Sequence, residues 1–225
     1  MGVIVNAVVV LICGTIGVGL KAGIPERFNE RIMQGIGLCV IVLGIVGVIT
    51  VQHPIVMILS VLLGAIVGEA LNLEERLEIG VQKIERKIQH HKHSSHLSEG
   101  FIAATMIFCV GSMAIVGSLE SGLLNNHSTL YAKSILDGIV SVLLGSSLGA
   151  GVILSSIPVF VYQGSIILLA NILAPYLGEA VINEVVVVGS VLLIGLGLNM
   201  LDLTELKIMN YVPAMIFPIV IMQFF

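Results

Sequence analysis

The apolar positions of this chain gather into eight long runs, at about residues 2–20, 33–51, 54–71, 100–119, 134–153, 157–175, 183–201 and 208–225. Each has roughly the length needed to cross a ~30 Å hydrocarbon layer at about 1.5 Å per residue. Lipid offers no partners for backbone N–H and C=O groups, so runs of this length are predicted to be helices. Pro158, Pro175, Pro213 and Pro218 fall in the sixth and eighth runs and predict kinks or breaks there. Residues 73–98 are the one long polar stretch. In it, Leu73, Leu77, Val81, Ile84 and Ile88 recur at helical spacing with charges between. That spacing predicts an amphipathic helix, continuing the third span or lying on the membrane surface. The expected fold class is all-α and membrane-integral, with about eight transmembrane helices in a single membrane domain, 1–225.

Composition agrees. The chain is 57% hydrophobic and only 11% charged, where a soluble domain carries roughly 25% charged residues to face water. The surplus apolar surface must meet the lipid bilayer. Cations crowd into residues 21–31 and 76–92, which leaves no accessible basic face for nucleic acid. If the N-terminus is outside, Lys21, Arg27, Arg31, Arg76, Lys83, Arg86, Lys87, Lys92 and Lys207 all fall in cytoplasmic loops and Lys133 alone lies outside. The positive-inside rule then predicts both termini outside. The chain opens on an apolar run with no basic segment before it, so residues 2–20 are expected to be a retained first span.

Little here points to covalent chemistry. Cys13, Cys39 and Cys109 lie inside apolar runs without metal or disulfide spacing and are expected to be small buried hydrophobes. No Walker loop, His-Glu-x-x-His or dinucleotide fingerprint is present, since GTIGVG lacks the flanking strand that context requires. No enzymatic activity and no cofactor are expected. His90, His91, His93 and His96 are the only metal candidates. With no thiolate or carboxylate beside them, the stretch reads as a solvated linker.

Comparing the chain with itself reveals an ordered set of matches at an offset near 130 residues. GTIGVG (14–19) matches GSSLGAG (145–151), Ile24-Pro25 matches Ile157-Pro158, and Gln34-Gly35 matches Gln163-Gly164. SVLL (60–63) matches SVLL (190–193), and Asn6 aligns with Asp137. The expected layout is therefore two parallel four-helix repeats, 1–119 with its linker 73–98 and 130–225, related by an axis along the membrane normal. Repeats of this kind are common in transporters, whose sites lie between the repeats on discontinuous helices.

The polar residues inside the runs are the site candidates. Thr15, Ser146 and Ser147 sit in the glycine clusters of the first and fifth runs, which serve either close helix packing or an unwound pathway lining. Asn6 and Asp137 precede those clusters by eight residues, slightly over two turns, and so lie near the same face. An Asp in a span costs roughly 2.5–3.5 kcal/mol at the centre and normally faces protein or water. Asp137 begins three residues into its predicted span, so reaching back to the outer surface is the competing arrangement. Gln34 and Gln163 are a matched pair that either bridges helices or lines a pore, and Glu69 and Asn199 match near the cytoplasmic ends of the third and seventh runs. Glu120, Glu179 and Glu184 lie near span ends, where solvation is expected.

The segments EGFIAATMIFCVGSMAIVGSL (99–119), KSILDGIVSVLLGSSLGAGV (133–152), PVFVYQG (158–164) and GSVLLIGLGLNML (189–201) resemble the domain of unknown function 554, a YqgA-like family of bacterial inner-membrane proteins. With NAVVVLICGTIGVGLKAGIPERF and LGAIVGEALNLEERLE, the resemblance covers almost the whole chain. It implies a bacterial cytoplasmic membrane location and a multi-pass architecture, with no substrate or mechanism attached. The expected function is a transporter or channel for a small solute or ion, with its pathway between the repeats. The alternative is a non-transporting scaffold or sensor whose residues 73–98 bind a partner or metal. Gly64-xxx-Gly68 and Gly145-xxx-Gly149 offer close-packing surfaces within one chain or between copies of a homo-oligomer.

Overall fold

A computed structural model of the chain describes residues 1–21, 26–76, 79, 95–110 and 112–224. The apolar runs become helices α1 (Gly2–Lys21), α2 (Glu26–Val48), α3 (Pro54–Leu71), α4 (Ser95–Val110), α5 (Ser112–Leu123) and α6 (Ser128–Leu148). Beyond them come α7 (Gly151–Leu154), α8 (Ser156–Leu168), α9 (Ala170–Leu173), α10 (Glu179–Met200), α11 (Ile208–Tyr211), a 3-10 turn (Val212–Met215) and α12 (Phe217–Ile221). Local chemistry sets the ends. Pro54 stands at the first turn of α3, where its missing N–H costs nothing. Asn72 closes α3 in the left-handed region, φ 48°, with its N–H returned to the Glu69 and Gly68 carbonyls.

Among the described residues, six helices are long and apolar enough to cross a membrane: Gly2–Leu20, Glu30–Val48, Pro54–Leu71, Ser128–Leu148, Gly151–Leu168 and Glu179–Met200. The fourth predicted span is a helix pair, Leu97–Val110 and Met113–Leu123, bent by 59°, and it makes a seventh crossing if counted as one. The eighth run is broken into α11, the 3-10 turn and α12, with Pro213 and Pro218 in the first turns of the last two. Each proline removes an N–H that a continuous helix needs. The membrane class stands, with six or seven spanning helices where the sequence predicts about eight. The predicted amphipathic helix and His90, His91 and His93 lie outside the described residues, and His96 is described only as backbone of α4.

Burial separates a centre from a periphery. Of the residues scored in each span, 72% are buried in α10, against 22%, 17% and 22% in α1, α2 and α3. The three outer helices turn Ile4, Leu11, Leu38, Val46, Ile58 and Ile66 outward, and lipid is the solvent for that surface. Small residues set the close contacts. A Cβ on Gly17 of α1 would run into the Val142 carbonyl and lie 3.0 Å from the Gly145 Cα of α6. Gly2 meets Leu130, Gly138 meets Val9, and Gly17 meets Gly145, so α1 and α6 run parallel. Helix α2 lies antiparallel along α10, Gly37 against Gly197 and Gly44 against Ser190 and Ile194. Gly64 and Gly68 seat Ala214 and Asn210 of the same chain. That surface is used internally. The two halves do not repeat each other contact for contact: α2 packs on α10, whereas its counterpart α8 packs chiefly on α5 and α1.

Candidate functional site

Helix α6 carries Lys133, Asp137 and Ser141 one turn apart, so they share a face, and that face is turned into the protein. Asp137 sits midway along α6 because the helix begins at Ser128, six residues before the predicted span. It is 6% exposed and therefore does not reach the surface. Lys133, expected in an outer loop, is inside the same helix and 5% exposed. Its Nζ lies 2.9 Å from Asp137 Oδ1 and 2.8 Å from Oδ2. Asn6 of α1 donates from Nδ2 to Asp137 Oδ2 at 3.0 Å and to Gln163 Oε1 of α8 at 3.3 Å. Both amides are fully buried. Three helices thus bring an ammonium, a carboxylate and two carboxamides together. Cys109 of α4 lies within electrostatic reach of Lys133 and Asp137, and Tyr162 of α8 within reach of Cys109.

The network is incompletely satisfied. Asn6 Oδ1, Gln163 Nε2 and the hydroxyls of Ser141 and Ser147 are buried without a hydrogen-bond partner. Buried polar atoms are normally paired, so these unpartnered atoms set the cluster apart from an ordinary packed interior. Chemically, the arrangement can hold a proton or cation at the carboxylate and orient a polar solute on the amides.

The other predicted site residues divide. Ser146 is buried with its hydroxyl returned to the Leu143 carbonyl of its own helix at 2.8 Å, and Ser147 is 2% exposed. Thr15 is exposed on the outer side of α1 and donates to Leu11 O at 2.7 Å, so it lines no interior route. Gln34 is likewise exposed, accepting from Arg31 at 2.9 Å, and does not join its predicted mate Gln163. Small residues of α1 turn inward and leave Thr15 outward, whereas Gln34 stands near the start of α2 at the mouth of a cavity. Glu69 accepts from Asn210 Nδ2 at 2.7 Å. Asn199 ties the loop after α10, bonding Leu206 O at 2.7 Å and accepting from Thr204 Oγ1 at 2.7 Å and Leu206 N at 2.9 Å.

Besides a cavity of about 520 Å³ lined by Glu69, Asn210 and Tyr211, two others open at the end of the molecule that carries the ends of α1, α3 and α10. One of about 410 Å³ is lined by Glu30, Met33, Gln34, Glu99, Ser147, Leu148, Met200 and Asp202. A second, of about 190 Å³, shares Glu99 and Met200 and adds Glu74, Ser98 and Asn199. Glu184, expected to be solvated, is fully buried at the opposite end of α10. Its Oε1 accepts the Gln52 and His53 N–H groups at 2.9 and 3.0 Å and so closes the start of α3. Asn210 does similar service, accepting from Glu74 N at 2.9 Å. Lys133, Glu184 and Asn210 are among the interior polar residues that the hydropathy pattern misplaces or passes over. The signal for Lys133 is present in the sequence as its i,i+4 spacing from Asp137.

The sequence profile described as "Protein of unknown function (DUF554)" matches residues 1–223. The chain is 32% identical over 226 residues to the "Uncharacterized membrane protein YdfK" of Bacillus subtilis (strain 168), covering 98% of this chain and 94% of that one. It is 29% identical over 219 residues to the "Uncharacterized protein YqgA" of Escherichia coli (strain K12), covering 96% and 93%. No solved structure matches it. With a profile spanning nearly every residue and a multi-pass helical membrane architecture, the chain belongs to the DUF554 family.

Proposed function

We propose that this protein is a transporter or channel for a small solute or ion, whose route passes the buried Asn6–Lys133–Asp137–Gln163 cluster. The supporting observation is the Lys133–Asp137 pair midway along a span with unpartnered amide atoms beside it. Structure alone gives a weak reason for such a pair, because well-packed apolar residues of similar volume stabilise a protein as well or better. Intramembrane ionisable groups facing a protein interior are the usual mark of a solute or proton route. A cavity lined by Ser147 opens at one end of α6, and Ser141 lies along that helix between Ser147 and Asp137.

The same reading includes no enzymatic activity, no cofactor and no nucleic-acid partner. It includes both termini outside the bacterial cytoplasmic membrane: with Lys133 withdrawn into a span, the other nine Lys and Arg fall on one side. The parallel packing of α1 on α6 supports the duplicated layout, with the asymmetry of α2 and α8 as a departure from it. A scaffold without flux is the second reading, favoured by the close glycine seam between α1 and α6. Purified protein in liposomes separates the two. Transport is expected to show flux of protons, monovalent cations or a small amine above protein-free vesicles. Flux equal to protein-free vesicles for all of them favours the scaffold.

A further inference from the structure

The cavity between α3 and α11 opens on the lipid-facing side of the protein. Ala65, Ile66, Glu69 and Ala70 of α3 line about 520 Å³ together with Asn210 and Tyr211 of α11. The short side chains at 65 and 70 leave this space in a helix otherwise rich in leucine, isoleucine and valine. Ile66 is 66% exposed, and Leu59 and Leu62 continue the same exposed stripe along α3, so the solvent at the cavity is lipid. Helix α3 has 18 residues. At roughly 1.5 Å per residue it is about 27 Å long, close to the ~30 Å hydrocarbon layer. Glu69, in its last turn, therefore lies at the depth of the lipid headgroups, with Ala65 and Ile66 a turn deeper.

We infer that this groove holds a phospholipid with a primary ammonium headgroup, a phosphatidylethanolamine, with the ammonium on Glu69 and an acyl chain along Ala65 and Ile66. Buried Asn210 donates to Glu69 Oε2 at 2.7 Å and is itself held by the Glu74 N–H on its Oδ1 at 2.9 Å. That chain of bonds fixes the carboxylate at the edge of the groove. The Glu69 side chain is exposed, so its second oxygen can accept from a headgroup. A primary ammonium brings a positive charge and three N–H donors, and a hydrogen bond between charged partners is about twice as strong as a neutral one. A choline headgroup has the charge but no N–H to donate. A glycerol headgroup leaves only the phosphate charge, which the carboxylate repels. An apolar wall with one anchored polar group is the common make-up of a small-ligand site. The site is independent of the proposed transport and of which leaflet meets this end of α3.

Native mass spectrometry of the purified full-length protein, released from a nonionic detergent, counts bound lipid and tests the inference. Dioleoyl phosphatidylethanolamine, phosphatidylcholine and phosphatidylglycerol are titrated separately, so that only the headgroup differs. One phosphatidylethanolamine is expected to bind about ten-fold more tightly than either of the others. Glu69→Gln keeps an oxygen for the Asn210 amide and removes the charge, and it is expected to bring the three affinities within about two-fold of one another. Ala70→Leu fills the groove from an exposed position. It is expected to weaken phosphatidylethanolamine several-fold, and it carries the test if Glu69→Gln does not fold. Equal affinities for the three lipids in the wild-type protein overturn the inference. So does a headgroup preference that survives Glu69→Gln, or phosphatidylethanolamine binding that Ala70→Leu leaves unchanged.

Discussion

At the scale of single residues, the decisive feature is that the Lys133 and Asp137 charges are paired while amide atoms beside them are left over. Lys133 and Asp137 neutralise each other one helical turn apart. Removing one member leaves a buried charge, whereas removing both leaves none. Lys133→Met alone is therefore expected to destabilise the protein by about 3–5 kcal/mol, and Lys133→Met/Asp137→Leu by far less. Thermal unfolding in detergent checks the order, and equal losses would show that the two side chains do not act as a pair. Glu184 is a purely structural counterpart. Glu184→Ala strands the Gln52 and His53 N–H groups, an expected loss of about 1–3 kcal/mol per stranded donor. Glu184→Gln keeps an acceptor oxygen and should lose less. Asn6 and Asp137 are legible as a pair from their matched positions in the chain. Glu184 is not, because a carboxylate near a span end looks the same in sequence whether it meets water or caps a neighbouring helix.

At the scale of elements, hydropathy locates most helices but gives a poor account of their faces and breaks. A run that is apolar all round has no polar stripe to say which side is inside. Thr15, a pathway candidate by sequence, faces outward instead. The start of α6 escapes for a related reason: STLYAK is too polar to register as membrane sequence, although its lysine is neutralised once folded. Glycine contacts make the elements' arrangement testable. Gly17→Ala adds a methyl against the Val142 carbonyl and Gly145, with an expected loss of about 1–3 kcal/mol. Gly19, two residues on, has nothing within 4 Å of such a methyl. Gly19→Ala should be neutral or slightly stabilising, by up to about 1 kcal/mol. Equal unfolding midpoints for the two variants would mean that α1 does not meet α6 through Gly17.

At the scale of the whole molecule, one heavily buried helix, α10, is surrounded by helices with lipid-facing sides, and cavities lined by Glu30, Glu74, Glu99 and Asp202 open at one end. Membrane class comes from composition and run length, and family membership from matched segments along nearly the whole chain; both survive errors in any single boundary. The span count does not, since Pro213, Pro218 and the 59° bend alter path rather than hydropathy. The orientation is tested with single cysteines placed at positions 2 and 85 after replacing Cys13, Cys39 and Cys109. In intact cells, an impermeant reagent is expected to label position 2 and spare position 85; the opposite pattern reverses the topology.

Transport past the buried cluster is tested most directly by one comparison in liposomes: flux through the wild-type protein against flux through Asp137→Asn, with both assayed at equal amounts of folded, inserted protein. The amide keeps the shape of the side chain and its contact with Asn6 while removing the charge that faces Lys133. Loss of flux, or of its dependence on pH, with a correctly inserted and folded variant is the expected result. Wild-type flux with an unchanged pH profile in Asp137→Asn would contradict a route through this site.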